Sequence, residues 1–276
     1  MGDIMELCRS GEPIIMGIVN VTPDSFSDGG EFFSAEHAIE HGLQLLEEGA
    51  HILDVGGEST RPNADTISVD DEIERVIPVI EGLADKAPYI SIDTRNSETM
   101  KGAIGCGANI ANDISGLRHD INSISVAADA NVPVCIMHMQ GTPQDMQNRP
   151  EYENVIDEIL SFFEERLGFC EKNGVSKDKV ILDPGIGFGK TLEHNLSILG
   201  NMDAFHRFGC PVMLGASRKS FIGAITGDNN PKNRLAGSLA AALSGLDQGV
   251  QIFRVHDVKE TRQAFNVHQA VRSARS

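Results

Sequence analysis

The sequence lacks any apolar run long enough to cross a bilayer. None of its 276 positions begins a stretch of 18 consecutive apolar residues, so a membrane-spanning helix is not expected. The first ten residues, MGDIMELCRS, include two acids and no apolar segment of signal-peptide length. Glu6 occupies the position where a myristoylation site would need Ser or Thr. We therefore expect a cytoplasmic protein with no membrane partner.

Cysteine is scarce and its spacing is irregular. The five cysteines are an odd number, and no two of them form a CxxC pair. This argues against a disulfide framework and against a zinc knuckle. We expect reduced thiols that mostly fill the core.

Positive charge is in deficit. The chain has 23 Lys and Arg against 40 Asp and Glu, a net charge of −17. Such a balance disfavours non-specific binding to nucleic acid or to an anionic membrane. It does not exclude a phosphorylated small-molecule substrate, because a local group of cations at helix N-termini can still bind an anion.

Apolar segments alternate with helical periodicity along the whole chain. The predicted strands are Ile14 to Asn20, Ile52 to Val55, Tyr89 to Asp93, Ile110 to Ile114, Val132 to His138, Val180 to Asp183, Val212 to Ala216 and Ile252 to Val255. The predicted helices run from about Ala35 to Gly49, along a stripe of Ile73, Ile77 and Ile80, from Glu151 to Asn173, and near Leu192 to Met202 and Leu235 to Leu246. Apolar, non-alternating strands separated by helices indicate a parallel sheet covered on both faces.

Polar side chains end these strands. They are Asn20, Asp54, Asp93, Asn112 with Asp113, His138, Asp183, Ser217, and Arg254 with His256. An open doubly wound sheet would bind its ligand at one switch point, whereas here polar residues end nearly every strand. The sequence therefore predicts one (β/α)8 TIM barrel domain over residues 1–276, with its active site at the C-terminal ends of the strands.

Two loops after the first strands are rich in polar side chains. The loop VNVTPDSFSDGG exceeds the usual two to six residues of a β/α connection, which favours a lid or binding loop over a plain surface loop. Asn20 offers a neutral oxygen that suits Mg²⁺ when a substrate phosphate supplies other ligands. In GGESTRPNA, a lone Arg61 would usually be solvated, but at a strand end beside Thr60 it can bind phosphate or carboxylate.

The segment DPGIGFGKT resembles a phosphate-binding loop but fails both the Walker and the Rossmann spacing. Its glycines would instead let the backbone approach a flat ligand, with Phe188 as a wall. Asp93, Asn112 and Asp183 each close an apolar strand and need hydrogen-bonding partners there. Helix N-termini could satisfy any one of them, but convergence at one barrel mouth favours recognition of ring N–H and amino donors.

Two cationic groups follow the last strands. Lys219 could be a Schiff-base nucleophile or a cationic donor to substrate oxygens and ring atoms, and the residues alone leave both possibilities open. Arg254 and His256 alternate along the eighth strand and so share one face, which suits a diphosphate. His138 is a lone histidine without a paired ligand and is a weak candidate for a metal site.

Eight blocks of the sequence resemble the dihydropteroate synthase family, in the family's order, from about Ile14 to Val258. They are VNVTPDSFSDGG, LDVGGESTRP, SIDT, ANDISG, MHMQGTP, LDPGIGFGK, GASRKSF and RVHD. The resemblance implies condensation of 6-hydroxymethyl-7,8-dihydropterin diphosphate with p-aminobenzoate, with Mg²⁺ required. It also implies folate biosynthesis, inhibition by sulfonamides and a homodimer, to which Val267 and Val271 of the last helix could contribute.

The resemblance also implies roles for individual residues. The pterin would be bound by Asp93, Asn112, Asp183 and Lys219, with Met137 as an apolar contact. The diphosphate and Mg²⁺ would be bound by Asn20, Arg254 and His256. The p-aminobenzoate site would be formed by Thr60, Arg61, Pro62, Phe188, Ser217 and Lys219. The expected catalytic residues are Asp93, Asp183, Lys219 and Arg61.

Three other functions compete with this interpretation. A pterin-binding methyltransferase with a corrinoid partner would share the pterin pocket but would not need the diphosphate residues. An aldolase would use Lys219 as a Schiff base. A pterin-binding paralogue without turnover is disfavoured because Asn20, Arg61, Arg254 and His256 are all present.

Overall fold

The structure, a computed structural model, describes residues 3–21, 31–59 and 66–274. Its strands are β1 (Ile14–Asn20), β2 (Ile52–Gly56), β3 (Ile90–Asp93), β4 (Ile110–Asp113), β5 (Val134–Met137), β6 (Val180–Asp183), β7 (Met213–Leu214) and β8 (Ile252–Val255). Its helices are α1 (Ile4–Cys8), α2 (Glu31–Glu48), α3 (Val69–Leu83), α4 (Ser97–Gly105), α5 (Ser123–Ala130), α6 (Val155–Lys172), α7 (Leu192–Leu199), α8 (Ser220–Thr226), α9 (Leu235–Asp247) and α10 (Val258–Ser273). Short 3-10 helices cover 177–179, 202–208 and 231–233.

The eight strands form one parallel sheet that closes on itself. Its order is β6-β5-β4-β3-β2-β1-β8-β7. A parallel bridge between Leu182 and Val212 joins the two end strands, and the Leu182 amide donates to the Pro211 carbonyl at 2.9 Å. Helices alternate with the strands along the chain. The predicted (β/α)8 barrel is thus confirmed.

The N-terminal helix α1, which the periodicity did not predict, packs against the N-terminal end of the barrel. Asp3 caps it by accepting a hydrogen bond from the Met5 amide at 3.0 Å. Ile4, Met5 and Cys8 are buried. They pack against a ring of apolar side chains inside the barrel, formed by Ile14, Met16, Ile52, Ile110, Cys135, Ile181, Met213 and Ile252. This half of the barrel interior is therefore a closed apolar core.

The predicted apolar stripe of α3 is only partly right. Ser68 caps the helix by accepting from the Asp71 amide at 3.1 Å. The buried residues of the helix include Val76, Val79, Ile80 and Leu83, whereas Ile73 and Ile77 are half-buried. Ile77 faces Gly102 of the neighbouring helix α4, so its side chain lies in a seam between helices rather than on the sheet.

The end of the barrel near β7 also differs from the prediction. A strand was expected over Val212 to Ala216, but β7 contains only Met213 and Leu214. The chain then leaves the sheet and enters helix α8 directly after Lys219, which stands at its N-cap position. No helix within the described ranges is long and apolar enough to span a membrane.

Candidate active site

The barrel interior changes from apolar to charged along the strands. Alternation places residues two apart on the same face, and on four strands an apolar residue of the lower ring is followed by a polar one above it. The pairs are Ile52 and Asp54, Ile110 and Asn112, Ile181 and Asp183, and Ile252 and Arg254. Parallel strands bring these polar residues together at the C-terminal ends of the sheet. The half of the interior near the N-terminal ends of the strands is therefore apolar, and the half near their C-terminal ends contains ionisable groups.

Arg254 connects two carboxylates across this charged half. Its Nε donates to Oδ2 of Asp54 at 2.6 Å, and its Nη2 donates to Oδ2 of Asp93 at 2.8 Å. Asn112 also donates to Asp54 Oδ2 through Nδ2, at 3.2 Å. Burial disfavours the charge of Arg254, but Asp54 and Asp93 outweigh that effect and raise the pKa of the guanidinium.

The sequence analysis placed Asp54 at the end of a strand but assigned it no function in the site. It is fully buried and accepts from both Arg254 and Asn112. Its neighbour Asp93 shares the same guanidinium. Burial raises the pKa of Asp93 to about 7, Arg254 opposes the shift, and the charge of Asp54 adds to it. One guanidinium therefore serves two carboxylates in a buried site.

Asp183 and Lys219 form the second charged group. Asp183 Oδ1 accepts from the Gly185 amide at 2.7 Å. Burial raises the pKa of Asp183, and the charge of Lys219 opposes this rise. Burial lowers the pKa of Lys219 to about 8, and Asp183 opposes that change in turn. Lys219 Nζ donates to the Ile186 carbonyl and lies 4.5 Å from the centroid of the Phe188 ring.

An apolar wall lies beside these charges. The sequence assigned Met137 and Phe188 to the substrate site, and the structure brings both into one apolar cluster. The cluster also contains Ile114, Met139 and Met146, which the sequence analysis did not select. A wall of flexible thioethers and one aromatic ring suits a flat ring system. Only the MHMQGTP block had pointed to Met139.

The glycine-rich turn after β6 has an unusual backbone environment. Side chains from separate parts of the chain donate to four consecutive carbonyls, at Ile186, Gly187, Phe188 and Gly189. The donors, in the same order, are Lys219, Gln147, Lys190 and Tyr152. At Gly185, φ is +71° and an added Cβ would lie 2.0 Å from the His138 carbonyl oxygen. Only glycine fits this close approach of two backbones.

Ser217 and His256 meet where the chain follows β7 and β8. His256 Nδ1 lies 3.0 Å from Ser217 Oγ, and the His256 amide donates to the same oxygen at 3.2 Å. Arg218, the other cation of this segment, is paired with Asp257, with Nε at 3.0 Å from Oδ2. The sequence analysis assigned Ser217 to the p-aminobenzoate site and His256 to the diphosphate site, and the structure places the two side chains in contact.

Asn20 ends β1 and is half-buried, opposite Gly56 of β2 in the sheet register. Residues 22–30, and with them most of the first loop, lie outside the described residues, as do Thr60, Arg61 and Pro62. In the part of the chain that is described, no group of three or more His, Cys, Asp or Glu side chains could hold a metal ion. The side-chain oxygen of Asn20 is of the type that a hard cation accepts together with substrate phosphate oxygens.

His138 lies apart from the charged half of the barrel. Its Nδ1 is 3.1 Å from Lys190 Nζ. Burial and the charges of Lys190 and Arg118 lower the pKa of His138 to about 2. This histidine is therefore a neutral, buried side chain.

Comparisons with known proteins all match this chain to one family of enzymes. The family model described as "Pterin binding enzyme" matches residues 16–256. The dihydropteroate synthase of Escherichia coli strain K12 is 47% identical over 264 residues, covering 95% of this chain and 93% of that protein. The dihydropteroate synthase of Haemophilus influenzae is 45% identical, covering 95% of each chain.

Solved structures show the same similarity. Dihydropteroate synthase from Xanthomonas albilineans with 4-aminobenzoic acid has a TM-score of 0.89 at 45% identity, covering 95% of this chain and 93% of that one. The same enzyme in complex with 7,8-dihydropteroate has a TM-score of 0.86 at 43% identity, covering 95% and 94%.

Proposed function

The chain belongs to the dihydropteroate synthases of the pterin-binding enzyme family, and we infer that it is the transferase that makes 7,8-dihydropteroate. It condenses 6-hydroxymethyl-7,8-dihydropterin diphosphate with p-aminobenzoate and releases diphosphate, a reaction of folate biosynthesis. The observation that carries this conclusion is similarity over nearly the whole chain to enzymes solved with 4-aminobenzoic acid and with 7,8-dihydropteroate. The predicted family and reaction are confirmed.

We propose that the pterin ring binds among Asp183, Asn112 and Lys219, against the apolar wall of Met137 and Phe188. Two features support this assignment. Asp183 uses Oδ1 for the Gly185 amide, while its Oδ2 faces the side of Gly215 and Lys219. A carboxylate so placed can accept hydrogen bonds from ring N–H and amino groups, and a nearby ammonium can donate to ring acceptors.

The proposed reaction breaks the bond between the pterin methylene carbon and the diphosphate oxygen. Positive charge then spreads over the ring before the arylamine nitrogen forms the new C–N bond and loses one proton to water. Asp183, and Asp93 when it is ionised, would stabilise that charge in a buried site, where electrostatic interactions are strong. Asp54 would keep Arg254 in place beside Asp93. Catalysis would thus depend on positioning and fixed charge.

The diphosphate would bind near Asn20, Arg254 and His256, together with Mg²⁺. An amide oxygen with substrate phosphate oxygens is a suitable ligand set for this hard cation, which would stabilise the charge on the departing diphosphate. Arg254 directs Nε and Nη2 to carboxylates, so Nη1 is the nitrogen that we assign to the diphosphate. The close contact of His256 with Ser217 links this region to the arylamine site.

We assign the p-aminobenzoate site to Phe188, Ser217 and Lys219, with Thr60, Arg61 and Pro62 from the second loop. A planar guanidinium can pair with the p-aminobenzoate carboxylate, and Phe188 can pack on the aromatic ring. Sulfonamides mimic p-aminobenzoate, so we expect them to compete for these contacts. The arylamine would approach the pterin from the side of Lys219, which lies between both groups.

Product formation tests the function directly. The protein would be incubated with the pterin diphosphate, p-aminobenzoate and MgCl2, and diphosphate release and 7,8-dihydropteroate measured together. We expect both products in equal amounts, and much less of each with Asp183→Asn. A protein that forms neither would contradict the assignment. Methyl transfer from a methylated pterin to a corrinoid protein would instead favour the pterin-binding methyltransferase.

We further propose that the protein is a homodimer. Large apolar side chains are exposed on α10, where Val267 is 60% and Val271 51% exposed. Leu196 on α7 and Ile225 on α8 offer a second exposed apolar face. Sedimentation velocity of the wild type, of Val267→Asp with Val271→Asp, and of Leu196→Asp with Ile225→Asp would decide which face is used. A monomeric wild type would contradict the proposal.

A further inference from the structure

Lys190 is a buried lysine that the proposed reaction does not yet use. Only 3% of its surface is exposed. Its Nζ lies 3.1 Å from His138 Nδ1, 3.2 Å from the His138 carbonyl and 3.0 Å from the Phe188 carbonyl. An ammonium has three hydrogens to donate, and these three acceptors satisfy them all. This arrangement requires a neutral His138 that carries its proton on Nε2, which agrees with the lowered pKa of that ring.

Through these contacts Lys190 joins two segments of the site. The His138 carbonyl directly follows β5, and the Phe188 carbonyl belongs to the glycine-rich turn after β6. The Phe188 ring lies in the apolar wall and faces Lys219. Lys219 itself donates to the Ile186 carbonyl of the same turn and has further hydrogens with which to bind substrate. Lys190 fixes the turn independently, through the Phe188 carbonyl.

The charge of Lys190 also acts on the carboxylate of Asp183, and Gly185 lies beside both residues. A Cβ added at Gly185 would be 3.3 Å from Lys190 Nζ, and the Gly185 amide is 2.7 Å from Asp183 Oδ1. The ionisable groups that face Asp183 are Lys219 after β7, Arg254 of β8, Lys190 after β6 and the Cys135 thiol of β5. Burial raises the pKa of Asp183, and the cations oppose the rise.

The charge state of Lys190 agrees with this role. Burial lowers the pKa of Lys190 to about 7, the charge of Asp183 opposes the change, and Lys219 adds to it. Below that pH the side chain is an ammonium. In that range its charge stabilises the ionised form of Asp183.

We propose that Lys190 is a positioning residue of the reaction, a buried cation that fixes Phe188 and the glycine-rich turn and keeps Asp183 ionised to receive the pterin. This inference rests on the proposed function. It adds to the site an ionisable group that contacts both His138 and the backbone of the turn. Lys190 acts through Asp183 and Phe188 and need not contact the substrate.

The test separates the charge of Lys190 from its packing. The variants are Lys190→Met, Lys190→Gln and Lys190→Arg, and the readout is the pKa of Asp183 from carboxyl ¹³C NMR of aspartate-labelled protein. Asp183→Asn identifies the signal. We expect the pKa of Asp183 to rise by about one unit in the Met and Gln variants, as for loss of one partly screened charge. Lys190→Arg should restore the wild-type value.

Tyr152→Phe is the matched control, because it removes the hydrogen bond to the Gly189 carbonyl without changing charge. It should leave the pKa of Asp183 as in the wild type. The KM for the pterin diphosphate should rise about tenfold in Lys190→Met and recover in part in Lys190→Arg. If Lys190→Met does not fold, Lys190→Gln gives the same comparison, since it is uncharged but retains a donor.

Two results would have different meanings. An unchanged pKa of Asp183 in Lys190→Met and Lys190→Gln would overturn the role of Lys190 while the wild type still makes 7,8-dihydropteroate. A wild type without product would overturn the proposed function, whatever the NMR titration shows. The titration needs no substrate, so the two failures are distinguishable.

Discussion

Arg254 Nε lies 2.6 Å from Asp54 Oδ2, which connects β8 to β2 across the strand that separates them, β1. The contact is buried on the side of Asp54, and the Arg254 side chain is 22% exposed. Removing one partner of such a pair leaves the other charge without full compensation. The relationship therefore makes Asp54 important both for stability and for the position of Arg254.

Asp54→Ala should lower the free energy of unfolding by about 3 kcal/mol, at the lower end for a broken buried pair because Arg254 keeps Asp93. It should also raise the KM for the pterin diphosphate. Urea unfolding and steady-state kinetics measure the two effects. Asp54→Asn retains an acceptor for Arg254 and should lose less stability. Wild-type stability in the alanine variant would contradict the importance of the pair.

The pKa of Asp93 predicts a pH dependence of stability. Burial raises this pKa from 3.8 to about 7, so between those values the folded protein binds a proton that the unfolded chain has lost. The contribution to stability is fully present below pH 3.8 and is lost as the pH rises through 7.

Asp93→Asn should therefore lose less stability than the wild type when the pH is raised from about 4 to about 7.5. Urea unfolding at several pH values measures this difference. Asp85→Asn, which changes an exposed carboxylate, should follow the wild-type curve. Parallel curves for wild type and Asp93→Asn would show that Asp93 binds no additional proton on folding.

Lys219→Met should raise the KM for the pterin diphosphate about tenfold to a hundredfold, since a hydrogen bond to a charged group is worth roughly 1.5–3 kcal/mol. Lys101→Met, which changes an exposed lysine of helix α4, is the control and should leave the KM unaffected. Borohydride treatment during turnover should add no substrate mass to the wild type. A covalent adduct at Lys219 would favour the Schiff-base enzyme instead.

Gly185→Ala should lower the free energy of unfolding by about 3 kcal/mol, from a positive φ and a Cβ forced against the His138 carbonyl. It should also displace Phe188 and reduce activity. Gly168→Ala is the matched control, because a Cβ there, in helix α6, meets no atom within 4 Å. That change should stabilise the protein by about 0.5–1 kcal/mol. Equal effects in thermal unfolding would refute the close-approach explanation.

The sequence predicted the barrel and most strands because their signals are local. β1, β6 and β8 have the expected bounds, since each is an apolar run with a clear polar end. Helix α1 was missed because five residues are too few for a periodic pattern. β7 was predicted too long because Gly215 and Ala216 continue an apolar run after the chain has left the sheet.

Part of the site was predictable because the ends of the strands are also marked by local sequence signals. Strand ends located Asp93, Asn112, Asp183 and Arg254, because parallel strands align their C-terminal ends. The partners of those residues were not predictable. That Arg254 pairs with Asp54, or that Lys190 reaches His138, depends on side-chain directions set by the closed barrel and not on spacing in the sequence.

The four side chains that donate to the glycine-rich turn also affect when the site can form during folding. Gln147, Tyr152 and Lys219 lie 40, 37 and 33 positions away from the carbonyls they contact. Contacts of such separation must wait for loop closure, so the turn acquires its shape only after β5, α6 and β7 have assembled around β6. During refolding, recovery of pterin binding should therefore lag behind recovery of helical signal.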